Sequence, residues 1–118
     1  MAKILIADDA LFMRVTLGDM LKNAGYQVCE AKNGSDMLRV FEEEKPDLIM
    51  LDITMPEMDG LHALKALREK HPGVKVIMCS AMGQKVMVMD ALQSGAYDFI
   101  VKPFEKSKVL DSITKVLA

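Results

Sequence analysis

Two adjacent carboxylates, Asp8 and Asp9, follow directly on the apolar run ILIA. A third acid, Asp52, stands inside the apolar stretch LIMLDIT, while Ser80 and Lys102 close two further apolar runs, VIMCS and DFIVK. Like charges crowded at the rim of a core raise one another's pKa unless a cation neutralises them. Mg2+ suits such a set, because it binds through one or two carboxylates, keeps several waters and completes its octahedron with phosphate oxygens. A lysine ammonium and a serine hydroxyl are the groups that would hold the remaining oxygens of a phosphoryl group. These five residues point to Mg2+-assisted phosphoryl chemistry, provided the fold brings them together.

The elements that must position them follow from hydrophobic periodicity. Strands are predicted at residues 3–7, 27–31, 47–51, 74–78 and 98–101. Met13, Leu17, Met20, Leu21 and Ala24 share one helix face, with Gly25 as the stop. A second helix carries Met37, Val40 and Phe41 and ends before Pro46, and a third carries Leu61, Leu64 and Leu67 and ends before Pro72. The residue before a proline is pushed out of the helical region, which explains both stops. A fourth helix is predicted at about residues 84–94, stopped by Gly95, and a fifth carries Val109, Leu110, Ile113, Val116 and Leu117. Five strands alternating with five helices predict an α/β domain, a doubly wound five-stranded parallel sheet with right-handed crossovers. Ligands of such sheets gather beyond the carboxyl ends of the strands. Asp8, Asp9, Asp52, Ser80 and Lys102 all fall there. Gly18, inside the first helix, costs about 1 kcal/mol relative to Ala and has no evident reason in the sequence.

A length of 118 residues predicts a single domain, residues 1–118, and the fifth helix runs so near Ala118 that no output domain is expected. Net charge is -2 with Lys and Arg scattered, which argues against nucleic acid and an anionic membrane surface. The apolar runs are too short for membrane insertion, and the N-terminus MAKILIADD lacks the cleavage region of a signal peptide. Cys29 and Cys79 stand in separate apolar runs with no CxxC, so free thiols and a cytoplasmic location are expected. His62 and His71, with no clustered ligands, are expected at the surface. In VMVM, residues 86–89, four consecutive apolar residues cannot all face one core. At least one of Val86, Met87, Val88 and Met89 should be exposed; the alternatives are partial burial of the stretch under neighbouring loops and a docking patch for a partner helix with adaptable Met contacts.

The segments ILIADD, LDITMPEMDG, CSAM and DFIVKPF resemble, in order and over the whole chain, the signature segments of receiver domains of two-component response regulators. DDALFMR, DITMPEMDG and SAMGQ resemble most those of single-domain chemotaxis regulators of the CheY type. The resemblance implies a flavodoxin-like strand order 2-1-3-4-5. It implies that Asp52 accepts a phosphoryl group from the phosphohistidine of a sensor histidine kinase. Asp9, Asp52 and the backbone carbonyl of Thr54 would bind Mg2+ directly, and Asp8 through water. Ser80 and Lys102 would hold the transferred group, and the peptide before Pro103 would be cis, aiming Lys102 inward. Ser80 and Phe99 would form the switch, Phe99 turning from exposed to buried, and the fourth helix, fifth strand and fifth helix would form the output face, with Val86, Met87 and Met89 as partner contacts.

By the same resemblance the protein is a signalling phosphoacceptor that assists its own phosphorylation and dephosphorylation, not an enzyme with turnover. A flagellar motor switch protein is the expected target and a monomer the expected state. Thr54 and Met82 occupy positions that tune dephosphorylation in the family, and Met82 cannot orient an attacking water, so slow hydrolysis of the aspartyl phosphate is expected. A shuttle in a multistep phosphorelay is the alternative within the family. A flavodoxin-like electron carrier would need a Gly- and Ser-rich phosphate loop where DDALFM stands. An Asp-nucleophile phosphatase would need DxD after the first strand, which the adjacent pair does not supply.

Overall fold

Alternation at period two sends successive side chains of ILIA and LIML to opposite faces of a strand, and both faces are apolar because helices cover both. The computed structural model describes residues 2–55, 58–81 and 83–118, and in it that pattern becomes a five-stranded parallel sheet of order β2-β1-β3-β4-β5. The strands are β1 Lys3–Ala7, β2 Gln27–Ala31, β3 Leu48–Asp52, β4 Val76–Ser80 and β5 Asp98–Val101. The helices are α1 Leu11–Asn23, α2 Gly34–Glu44, α3 Gly60–Lys70, α4 Lys85–Gln93 and α5 Lys106–Leu117. Ile4, Ile6, Leu48, Met50 and Ile77 pack with Leu17 and Leu21 of α1 and Val109, Ile113 and Val116 of α5. Leu5, Ile49, Leu51, Val76 and Met78 pack on the other face with Met37 of α2, Leu64 and Leu67 of α3 and Ala91 of α4.

Two strands are displaced from the positions that periodicity predicts. The third runs Leu48–Asp52 because Asp47 serves as an anchor before it: its N–H donates to the Lys3 carbonyl (2.8 Å) and its carboxylate accepts the Lys3 N–H (2.8 Å). The fourth begins at Val76, two residues late, because the Val74 N–H closes a turn onto the His71 carbonyl (3.0 Å). Pairing of Ile49 with Val76 then fixes the register, and Ser80 becomes the last residue of β4, level with Val101. Gln84 precedes α4 as its N-cap instead of belonging to it.

Helix starts and stops follow local chemistry. Asn33 and Asp59 cap α2 and α3, accepting the N–H groups of Asp36 (2.8 Å) and His62 (2.9 Å). Gly25 and Gly95 take φ of 94° and 108° just past α1 and α4, a conformation that costs glycine little. On α4, Met87 turns inward against the core, whereas Val86 is 80% exposed and Met89 47% exposed. A step of 100° per residue around the helix separates them. Among the described residues, no helix is long and apolar enough to cross a membrane, and Cys29 and Cys79 are both free thiols.

Candidate functional site

Parallel register brings the ends of β1, β3, β4 and β5 to one rim. Ala7 pairs with Leu51, Asp52 with Cys79 and Ser80 with Val101, so Asp8, Asp52, Ser80 and Lys102 lie level at the carboxyl edge of the sheet. Carboxylate oxygens of Asp8, Asp9 and Asp52 lie within 4.8 Å of one another; Asp8 and Asp52 are buried and Asp9 is exposed. The Lys102 ammonium reaches across to Asp8 Oδ2 (2.7 Å) and Asp52 Oδ1 (3.3 Å). Lys102 is held at the main chain too, its N–H donating to the Ser80 carbonyl (2.8 Å), and the Lys102–Pro103 peptide is cis. Ser80 is buried beside this pair of strand ends.

Helix capping does not explain the first two acids. The N-cap of α1 is Ala10, with no side-chain cap, and the Asp8 Oδ1 accepts the Ala10 N–H (2.9 Å) in the turn before the helix. Both oxygens of Asp8 are therefore engaged, one by Ala10 and one by Lys102. Gly60 opens α3 where a Cβ would run into the Asp52 carbonyl, so glycine alone lets that helix start so close to the acid.

Electrostatics mark the rim as short of positive charge. Burial first, and then the Asp8 and Asp9 charges, push the Asp52 carboxyl up to about 6 from an ordinary 3.8, against the opposing pull of Lys102. Burial disfavours the Lys102 ammonium, but the hydrogen bond it donates to Asp8 and the charge of Asp52 outweigh that and raise its pKa, keeping it a cation. Three carboxyl groups thus share a rim on which one lysine ammonium touches two of them. The donor set, all carboxylate oxygen and part solvated, fits a small hard dication that keeps some of its waters.

Other residues singled out in the sequence are arranged around this centre. Thr54, two positions past Asp52, is exposed. Phe99 on β5 is half-buried and packs against the core cluster on the α2–α4 side of the sheet. Val86 and Met89 stand outward on α4, and Met82 lies outside the described residues. His62 pairs with Asp59 (3.1 Å) at the start of α3 and His71 with Glu42 (2.7 Å) just past its end, and neither histidine belongs to the three-acid cluster. A cavity of about 860 Å3 is lined by Phe41, Pro46, His71, Pro72 and Lys75 at the amino ends of the strands, away from the acid rim. Its lining offers no carboxylate cluster, so the chemistry belongs to the open acid rim.

Periodicity overlooked two contributors. Arg14, one turn into α1, donates from Nη1 to the Asp8 carbonyl (2.7 Å) and from Nε to Glu30 on β2 (3.0 Å). The available signal was Glu30 itself, the only charge in QVCEA.

Sequence and fold comparisons match nearly the whole chain to known proteins. The family model described as the response regulator receiver domain matches residues 4–114. The chain is 53% identical over 116 residues to the chemotaxis protein CheY of Listeria monocytogenes, covering 98% of each. It is 52% identical over 116 residues to the chemotaxis protein CheY of Bacillus subtilis, covering 98% of this chain and 97% of that one. Among solved structures it superposes on the CheX-CheY-BeF3-Mg2+ complex of Borrelia burgdorferi with a TM-score of 0.95 at 34% identity, over 99% of this chain and 90% of that one.

Proposed function

The chain belongs to the response regulator receiver family, and on that premise we propose that it is a stand-alone phosphoacceptor protein, one receiver domain over residues 1–118. In this reading Asp52 takes a phosphoryl group from a sensor histidine kinase. The phosphorylated form then binds a flagellar motor switch protein in the cytoplasm. The observation that carries the reading is the three-acid cluster with Lys102 touching two of its members at 2.7 and 3.3 Å.

Asp52 is the nucleophile: one carboxylate oxygen bonds to phosphorus as the bond from phosphorus to the kinase histidine breaks; the ring keeps that electron pair and, with its other nitrogen protonated, leaves as neutral imidazole beside the new acyl phosphate. Asp9, Asp52 and the Thr54 carbonyl would hold Mg2+. Asp8 would act through water, a role in keeping with its two engaged oxygens. When bound, the ion supplies positive charge to the equatorial oxygens of the transferring group. Lys102 releases its hold on Asp52 and pairs with the incoming phosphoryl oxygens, an exchange of one anion for another that keeps the ammonium charged. The Ser80 hydroxyl donates to the same group. Movement at Ser80 draws Phe99 from its half-buried place to full burial, apolar transfer worth at most about 1.5 to 3 kcal/mol. That change is read at α4 and β5, where Val86 and Met89 face outward and Met87 lies behind them against the core.

Incubation with Mg2+ and a small acyl phosphate, followed by intact-mass measurement, tests the reading. Wild type should gain one phosphoryl mass, chelation should abolish the gain, and Asp52→Asn should gain none. Labelling of Asp52→Asn, or labelling indifferent to chelation, would overturn it.

A further inference from the structure

The two peptide groups that flank the Cα of Asp8 are each tied to β2, the one before it directly and the one after it through Arg14. The Asp8 N–H donates to the carbonyl of Ala31, the last residue of β2 (3.1 Å). The Asp8 carbonyl accepts Arg14 Nη1 (2.7 Å), and Arg14 is in turn tied through Nε to Glu30 (3.0 Å), the neighbour of Ala31. The Arg14 side chain is largely covered, 15% exposed against 43% for Glu30. The guanidinium is planar and forked, so one group can engage a carbonyl and a carboxylate at once in fixed geometry. A peptide bond is planar as well, so fixing the direction of the Asp8 carbonyl fixes the plane that leads into the Cα of Asp9. Asp9 is the exposed member of the acid cluster, with the least surrounding structure to hold it.

We infer that Arg14, braced by Glu30, is a positioning residue for the cation site: it sets the Asp8–Asp9 peptide plane and thereby aims the Asp9 carboxylate at the ion. The inference rests on the proposed cation site and adds to it a residue that touches neither the ion nor the phosphoryl group. Its sign separates it from simple electrostatics. A guanidinium close to three acids repels a dication, so removing it should tighten Mg2+ binding if charge were all that mattered. Loss of the brace should weaken binding, as losing partners that orient metal ligands does elsewhere by about 10- to 100-fold.

Calorimetric titration of the unphosphorylated full chain with Mg2+ tests this, alongside thermal unfolding in chelator. Arg14→Ala should bind Mg2+ about tenfold more weakly than wild type. Arg14→Lys keeps the charge but cannot fork onto two oxygens, so it should fall at least about threefold and not rescue the site. Glu30→Gln, milder for folding, should weaken binding by a smaller factor. A merely structural role would lower the unfolding midpoint and leave the affinity of the folded variants at the wild-type value. Arg14→Ala and Arg14→Lys binding Mg2+ as tightly as wild type, or more tightly, would overturn the inference alone. Absence of Mg2+ uptake by wild type would overturn it together with the cation site on which it rests.

Discussion

At the scale of single residues, Asp52 carries a cost in the absence of a cation. Its carboxyl is raised from 3.8 to about 6, chiefly by burial and then by Asp8, so the folded state holds its proton more tightly than the unfolded chain does. The favourable contribution of this group is therefore complete below about pH 4, where it is neutral in both states. It is lost as pH rises through about 6. Asp52→Asn should raise metal-free stability at pH 7 by about 1 to 2 kcal/mol after allowance for solvent screening, and should flatten the decline between pH 4 and 6. Urea denaturation in chelator across that range checks it, and a variant no more stable than wild type at pH 7 would refute it. Asp98 behaves in the opposite sense. Burial raises its pKa, but the Ser112 hydroxyl, the Phe99 N–H and Lys115 together outweigh that and lower it, so its stabilisation holds at neutral pH and fades only in acid.

At the scale of elements, α1 contains an avoidable weakness. Gly18 is buried, yet a Cβ there would meet only Ile6 Cδ1 and Val28 Cγ1, each at 3.9 Å, ordinary contact distance. Gly18→Ala should stabilise the protein by about 1 kcal/mol, read as a higher denaturant midpoint with unchanged slope. On α4, Val86→Glu should leave the unfolding midpoint near wild type, because the side chain is 80% exposed. On the proposed function, it should also weaken binding of the phosphorylated form to the proposed motor switch partner by about tenfold or more. Unchanged affinity would remove Val86 from the docking surface. Most element positions were legible, since β1, β2 and β5 coincide with their apolar runs. β3 and β4 were legible in kind but not in register, because an apolar run does not say which residue closes a turn, as Val74 does onto His71. The acids, Ser80 and Lys102 could be read from the sequence because strand ends share an edge. Arg14 could not, since a charge on α1 paired with one 16 positions away on β2 looks like two solvated surface groups.

At the scale of the whole molecule, cation binding and folding are one equilibrium. A ligand at 100 times its Kd that binds only the folded state adds about 2.7 kcal/mol. For a domain of this size Mg2+ at that level should raise the thermal midpoint by roughly 10 °C. Scanning calorimetry with and without chelator measures it, and coincident traces would argue against a dication at the acid rim. The sheet order came from the resemblance, because alternation of strands and helices does not by itself say which strands are neighbours. Lys102 and Asp8 are 94 positions apart in the chain, yet their side chains meet at 2.7 Å. The ammonium that completes the rim thus leaves the ribosome well after the two acids that it joins. A copy truncated before Lys102 leaves the crowded acids without the ammonium that bridges them, so the rim itself certifies that synthesis has passed that point.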